Sequence, residues 1–192
     1  LNNFFTVREI AEQYGYLPIR FFILSSHYRS PINFSKEIIE QARAALDRIF
    51  NCVDAVNFFL RNAKDEALRA GEEDMLARFA ATREKMIAAM DDDFNTGEGI
   101  AAIFDLVREL NAAVNGEHPA SRAAVAQGKA VLDEMTGLFG FARTEGGDDA
   151  LRKELEEAIA ARAAAKKAKN YAEADRIRAD LLARGVVLED TP

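Results

Sequence analysis

The sequence has few of the residues that build disulfide frameworks and metal centres. The single cysteine, Cys52, excludes both a disulfide within the chain and a multi-cysteine zinc site. Because His27 and His118 are the only histidines, a metal centre of another kind is not expected either. No apolar run approaches the roughly 18 to 20 residues that a membrane span requires, and no secretory leader is recognisable. These absences predict a cytoplasmic protein with no metal site and no membrane partner.

Glycine and proline are scarce as well, at 11 and 4 of 192 residues, and tryptophan is absent. Alanine, leucine, glutamate, arginine and lysine, which are strong helix formers, instead fill whole windows of the sequence. With 49% hydrophobic and 30% charged residues, this composition predicts a globular all-α protein. The first residue, Leu1, is not methionine, which suggests a fragment whose upstream part is missing.

Apolar residues recur at helical spacing through most of the chain. Thr6 and Glu9 have the spacing of a capping box and begin the first predicted helix, and Ser35 is the predicted N-cap of a long one. Gly128 weakens the last helix of this part, because glycine costs roughly 1 kcal/mol relative to alanine. The predicted helices cover 6–14, 19–26, 35–59, 72–91, 96–115 and 119–139, and they are expected to form an antiparallel bundle.

The chain after this bundle has a different character. Residues 144–149 contain Gly146-Gly147 and no apolar side chain, which predicts a linker. A helical hairpin is predicted beyond the linker, with an interruption at Asn170 and Tyr171. Val186, Val187 and Leu188 are candidates for one short strand.

The hairpin reverses the charge of the chain. Seven basic and three acidic residues lie between Arg162 and Arg184, whereas the whole chain has a net charge of -7. Basic side chains neutralise phosphates and an aromatic ring such as Tyr171 stacks on unpaired bases, so the segment predicts nucleic-acid binding. A solvated alanine-rich helix with ordinary lysines stays open as the competing interpretation.

Two further clusters point to structure rather than to catalysis. Asp91-Asp92-Asp93 could attract a cation, but the spacing of a calcium loop is absent, and Asn95 or Thr96 can cap the following helix. His27-Tyr28-Arg29 has no nearby nucleophile with a supporting carboxylate, so a turn that packs the bundle or touches RNA is expected. No catalytic residue and no metal ligand is therefore predicted.

Four motifs, in order along the chain, resemble the C-terminal half of bacterial cysteinyl-tRNA synthetases. The first resembles the stretch that follows the family's Lys-Met-Ser-Lys-Ser loop, and the second resembles the junction that enters its helical bundle. The four are Leu1-Asn2-Asn3-Phe4-Phe5-Thr6, Leu24-Ser25-Ser26-His27-Tyr28-Arg29-Ser30-Pro31-Ile32-Asn33-Phe34-Ser35, Met90-Asp91-Asp92-Asp93-Phe94-Asn95-Thr96 and Gly185-Val186-Val187-Leu188-Glu189-Asp190.

The resemblance implies a DALR-like anticodon-binding architecture of the class I synthetases. It divides the chain into a stem-contact segment (1–34), a tRNA-binding antiparallel helical bundle (35–143), a linker (144–149) and an anticodon-recognition hairpin (150–192). The family charges its tRNA with cysteine using ATP, and the catalytic domain, which also holds a zinc ion, would lie upstream of Leu1. The chain itself is expected to bind and orient cysteine tRNA as a monomer, with no cofactor and no catalysis of its own.

The resemblance also implies which residues meet the anticodon. Tyr171 replaces a stacking tryptophan, and Lys166 replaces an arginine, whereas Asp175, Arg178 and Asp190 match the family identically. Because lysine is a point charge rather than a planar bidentate donor, Lys166 is expected to contact phosphate. Contacts to the tRNA backbone are expected from His27, Arg29, Arg162, Lys167 and Lys169.

Two alternatives stay open. A cysteine ligase of small-molecule thiol biosynthesis shares the synthetase catalytic fold, but such an enzyme has no reason to carry an anticodon hairpin. A helical protein-interaction module, whose bundle binds a partner helix, would show an exposed apolar face and no tRNA binding.

Overall fold

Eight α-helices make up the regular structure in the computed structural model, which describes residues 6–63, 67–116, 118–142, 149–168, 170–183 and 186. No strand occurs among these residues, so the all-α prediction is confirmed over the described chain. The helices are α1 (Val7–Tyr14), α2 (Tyr16–Leu24), α3 (Lys36–Asn62), α4 (Glu73–Asp91), α5 (Thr96–Asn115), α6 (Arg122–Phe139), α7 (Asp149–Lys167) and α8 (Tyr171–Ala183).

The chain divides into two compact units, Leu1–Ala142 and Arg143–Pro192. The first contains α1 to α6, and the second contains α7 and α8. The finer division into four segments at residues 34, 143 and 149 stays a prediction. Of the candidate strand, only Val186 is described; its amide donates to the Leu181 carbonyl at 2.9 Å, and the rest lies outside the described residues.

Helix starts follow the predicted capping residues. The Thr6 hydroxyl oxygen accepts from the Glu9 amide at 3.2 Å, and the Glu9 carboxylate accepts from the Thr6 amide at 2.7 Å, which completes the capping box of α1. Ser35 caps α3 and Asn95 caps α5 through the amides three residues further on. Local side-chain chemistry therefore determines where these helices begin.

Helix α5 is the centre of the first unit. It packs against α3, α4 and α6 and also contacts α2, and its Leu106 and Leu110 side chains are fully buried. On α6, a Cβ atom at Gly128 would lie 2.7 Å from Leu110 Cδ2 and 2.8 Å from Phe79 Cε2. The glycine that weakens α6 in isolation is therefore what allows α6 to approach α4 and α5 closely.

A hydrogen-bonded cluster joins the start of α4 to the start of α6. The Glu72 carboxylate accepts from the Ser121 amide at 2.6 Å, from the Ser121 hydroxyl and from the Arg69 amide at 2.9 Å. Ser121 is fully buried and also caps α6, because its hydroxyl oxygen accepts from the Ala124 amide at 3.2 Å. Partial burial acts to raise the pKa of Glu72, but these hydrogen bonds outweigh it and hold that pKa below its ordinary value.

Replacing Glu72 by alanine is expected to lower the free energy of unfolding near neutral pH by about 1–3 kcal/mol, because the buried Ser121 donors lose their acceptor. Since the pKa of Glu72 is depressed in the folded state, its contribution is present above the ordinary carboxyl pKa of about 4.3 and is lost as pH falls through the folded value. Urea denaturation at several pH values should therefore show the variant and the parent converge in acid. Glu40→Ala, at an exposed position of α3, is the control, and an equal loss there would contradict the assignment.

Candidate nucleic-acid interface

Helices α7 and α8 form a hairpin whose connection is organised by Asn170. The Asn170 amide donates to the Ala165 carbonyl at 2.9 Å, and its side-chain oxygen accepts from the Glu173 amide at 3.3 Å. Asn170 therefore closes α7 and caps α8. The predicted interruption holds for Asn170, whereas Tyr171 is already the first residue of α8.

Three of the residues predicted to meet the anticodon share one exposed face of α8. Tyr171, Asp175 and Arg178 are spaced by four and three residues, which aligns them along one side of an α-helix. The Tyr171 side chain is 62% exposed, and Asp175 and Arg178 are exposed as well. Leu182, four residues beyond Arg178, continues the row and is 58% exposed. We call Tyr171, Asp175, Arg178 and Leu182 the α8 stripe.

Packing of the hairpin uses a neighbouring face of α8. Ala174 and Leu181 are buried, Ile177 is half-buried, and α8 packs against α7. The α8 stripe is therefore not used to pack the hairpin and is accessible to a ligand. Leu182 supports this interpretation, because an exposed leucine contributes nothing to folding. Sequence analysis missed Leu182, and the signal that could have found it is its continuation of the four-and-three spacing that begins at Tyr171.

The two arginines of α8 have different surroundings. Arg176 donates to the Glu173 carboxylate at 2.8 Å, whereas no ion pair engages Arg178 within the described part of the chain. Two positions along an α-helix correspond to a rotation of about 200°, so the two guanidinium groups point to different sides. Arg178 is therefore the one that stands beside Tyr171 and Asp175.

Helix α7 adds positive charge near its connection to α8, which is also where Tyr171 lies. Lys166 and Lys167 lie exposed in its last turn, where cations oppose the negative end of the helix dipole. Arg162, one turn before Lys166, is half-buried. The remaining two predicted residues, Lys169 and Asp190, lie outside the described residues.

The other predicted contact, at His27 and Arg29, lies in the turn after α2. The His27 and Tyr28 rings stack with centroids 4.8 Å apart, and the Arg29 guanidinium carbon lies 5.3 Å from the Tyr28 ring centroid. All three side chains meet Asp93. The Tyr28 hydroxyl donates to Oδ1 at 2.7 Å, and Arg29 Nη1 and His27 Nε2 lie 3.3 and 3.7 Å from Oδ2. The hydrogen bond to this carboxylate raises the pKa of Tyr28.

Asp93 comes from the turn between α4 and α5, so the structure brings the second and third sequence motifs together. Asp93 and Phe94 have left-handed backbone conformations, with φ of 55° and 52°, which are uncommon outside glycine. Because the Asp93 carboxylate lies against both His27 and Arg29, this turn offers less net positive charge than its sequence indicates. Because Tyr28 and Asp93 are 65 residues apart, their contact could not be predicted from the spacing of residues in the sequence.

The described residues show two further absences. No group of three or more His, Cys, Asp or Glu side chains comes together that could hold a metal ion. None of the helices, over the part of the chain that is described, has the length and apolar character needed to cross a membrane.

Comparisons with known proteins agree on one class. A family model described as a DALR domain matches residues 85–143, and one described as the class I (C) tRNA synthetase catalytic domain matches residues 1–44. The chain is 46% identical over 193 residues to a protein named cysteine--tRNA ligase from Symbiobacterium thermophilum. It is 40% identical over 191 residues to one of the same name from Lachnospira eligens. Both alignments cover 100% of this chain but only 40% of the relative.

Proposed function

Because the chain is homologous along its whole length to part of the cysteine--tRNA ligases, we propose that it binds and orients cysteine tRNA and that its α8 stripe reads the anticodon. The observation that carries this proposal is the alignment of Tyr171, Asp175 and Arg178 on one exposed face of α8, in a hairpin whose other helix exposes Lys166 and Lys167 in its last turn. An aromatic ring can stack on an unpaired base, and an acceptor and a donor on the same surface can hydrogen-bond to base edges.

Each member of the interface has a distinct role in this proposal. The Tyr171 ring stacks on one base. The Arg178 guanidinium donates to acceptors on a base edge, and the Asp175 carboxylate accepts from an exocyclic amino group. Lys166 and Lys167 contact phosphates, and Leu182 covers the apolar side of a base or ribose.

We propose that the chain is the tRNA-binding part of a longer protein, a class I synthetase that attaches cysteine to its tRNA with ATP. In this proposal ATP and zinc belong, as the resemblance implies, to a catalytic domain rather than to the bundle or the hairpin. The 192-residue chain is accordingly expected to bind tRNA without activating cysteine. As the resemblance implies, it is expected to be monomeric and cytoplasmic.

Arg178→Ala is expected to weaken binding of cysteine tRNA by roughly 5- to 150-fold, because an arginine that reads a base is typically worth ~1–3 kcal/mol. The loss should be smaller for tRNAs with other anticodons, which the side chain does not read. Filter binding or fluorescence anisotropy at fixed salt measures both. Arg176→Ala is the matched control, since Arg176 is an exposed arginine of the same helix that is already paired with Glu173. Equal losses for all tRNAs, or for both variants, would contradict base reading.

The dependence of tRNA affinity on salt concentration is a second test of the same interface. The net charge of the chain is -7, so general attraction to RNA is weak and affinity depends on the local basic patch. Phosphate contacts release counterions, and binding is therefore expected to weaken steeply as salt rises. The non-specific part of the binding should disappear first, so specificity for cysteine tRNA increases with salt.

A further inference from the structure

The last residue of the α8 stripe differs in chemistry from the three that precede it. Those three carry a ring or a charged group that can stack on a base or hydrogen-bond to it, whereas Leu182 has no ring and no polar atom. Its neighbour Leu181 is buried in the hairpin, but the Leu182 side chain is 58% exposed. Leu182 is therefore a large apolar side chain that the packing of α8 does not use.

The spacing of the α8 stripe gives Leu182 a position relative to a bound RNA strand. Each residue of an α-helix adds about 1.5 Å along the axis, so successive members of the stripe lie about 4.5–6 Å apart. These steps exceed the ~3.4 Å between stacked bases of one strand and suit bases that are splayed apart on a protein surface. The three residues that can read bases match a triplet, so Leu182 lies one step outside it, where a flanking nucleotide would be.

The residues of α8 that surround Leu182 are small and apolar. Ala179, three residues earlier, and Ala183, the next residue, are both exposed and add only methyl groups. The Asp180 carboxylate points to a different side, because two positions along an α-helix correspond to a rotation of about 200°. The end of the α8 stripe is therefore a small apolar patch centred on Leu182.

An apolar patch in a row that reads base edges is a poor match for an unmodified base. Asp175 and Arg178 meet base edges in the proposed function, so Leu182, in the same row, also faces an edge. The edges of unmodified bases carry carbonyl oxygens, amino groups and ring nitrogens, and covering these without a hydrogen-bond partner costs free energy. An alkyl group on the edge removes that cost, because its contact with leucine takes apolar area out of water.

We propose that Leu182 binds the alkyl group of a modified base that flanks the anticodon of the tRNA. The branched tip of the Leu182 side chain, with Ala179 and Ala183 beside it, suits a short branched alkyl chain on the exocyclic nitrogen of that base. The proposal rests on the proposed function, because it takes the α8 stripe as the surface that reads the anticodon. It makes specific the apolar contact assigned to Leu182 above, and it means that the chain distinguishes a modified tRNA from an unmodified one.

Pairs of cysteine tRNAs that differ at one nucleotide test this proposal. One member of a pair has adenosine next to the anticodon, and the other has isopentenyladenosine, whose exocyclic nitrogen carries a short branched alkyl chain. One pair is made for each side of the anticodon by ligating a synthetic segment, and binding to the 192-residue chain is measured by fluorescence anisotropy at fixed salt. We expect the alkylated tRNA to bind roughly tenfold more tightly for one of the two sides, because contact with Leu182 removes the equivalent of about two methylene groups from water.

Variants at position 182 assign the preference to the side chain. Leu182→Ala is expected to reduce the ratio of the two affinities to less than about twofold, and α8 keeps its structure because alanine is the strongest helix former. Leu182→Met, which keeps an apolar side chain of similar size, is the matched control and should retain the preference. A purely structural role of Leu182 would weaken both tRNAs alike and leave the ratio unchanged.

Equal binding of the adenosine and isopentenyladenosine tRNAs, on both sides of the anticodon, would overturn the proposal. A preference that Leu182→Ala retains would overturn it as well, since the alkyl group would then act elsewhere. Changing the anticodon bases tests the proposed function separately in the same samples. Discrimination between anticodons without a preference for the alkylated tRNA would overturn this inference alone, whereas equal binding of all anticodons would overturn the proposed function.

Discussion

Replacing Tyr171 by alanine is expected to weaken binding of cysteine tRNA by roughly 5- to 150-fold, because stacking of one base on an aromatic side chain is typically worth ~1–3 kcal/mol. The Tyr171 ring is 62% exposed at the first position of α8, so its removal leaves the hairpin core, built on Ala174 and Leu181, unchanged. Tyr171→Phe keeps the ring and is expected to stay within about twofold of the parent.

The absence of tryptophan from the chain allows the stacking itself to be observed. In Tyr171→Trp the indole is the one tryptophan present, and its fluorescence should be quenched when a base of cysteine tRNA stacks on it. Ile159→Trp, at an exposed position of α7 that is not part of the α8 stripe, is the control and should change little. An Ala variant with parental affinity, or equal quenching at both positions, would contradict a stacking role for Tyr171.

Replacing Phe79 by alanine is expected to lower the free energy of unfolding by about 3–5 kcal/mol and the melting temperature by roughly 10 °C. The Phe79 side chain is 2% exposed and fills the space against Gly128 between α4 and α6. The alanine variant leaves a cavity there that the closely approached helices cannot close. Thermal melting followed by circular dichroism measures the change.

Phe58→Ala provides the control for this loss, because Phe58 is a phenylalanine of the same unit that is 64% exposed. Its removal is expected to change stability by less than about 0.5 kcal/mol. If the two variants melted together, Phe79 would not be part of the core that holds α4, α5 and α6 in contact.

Much of the fold could be predicted because its signals are local. Helix starts are marked by capping side chains that bond to amides three residues further on, as at Thr6 with Glu9, at Ser35 and at Asn95. Such caps can be recognised in a short stretch of sequence. Gly128 shows the limit of that logic. Its effect on a lone helix is unfavourable, and only its contact with Leu110 and Phe79 on other helices explains its place.

The candidate site also has one part that could be predicted from the sequence and one part that could not. Tyr171, Asp175 and Arg178 could be placed on one face from their spacing alone, since they belong to one helix. The pairing of Asp93 with Tyr28, Arg29 and His27 could not, because it joins turns that are far apart in sequence. The guanidinium of Arg29 and the imidazole ring of His27, which the sequence offers to RNA, thereby lie against a carboxylate. This makes the hairpin the better candidate for the main contact.

The central claim, that the α8 stripe reads the anticodon, is tested most directly by binding of the 192-residue chain to cysteine tRNA and to the same tRNA with its anticodon bases changed, across a salt series. The account predicts that the changed anticodon weakens binding by at least about tenfold and that the difference widens as salt rises. Equal binding of the two tRNAs at every salt concentration would contradict it and reduce the hairpin to a phosphate clamp. No binding even at low salt would favour a protein-interaction module instead.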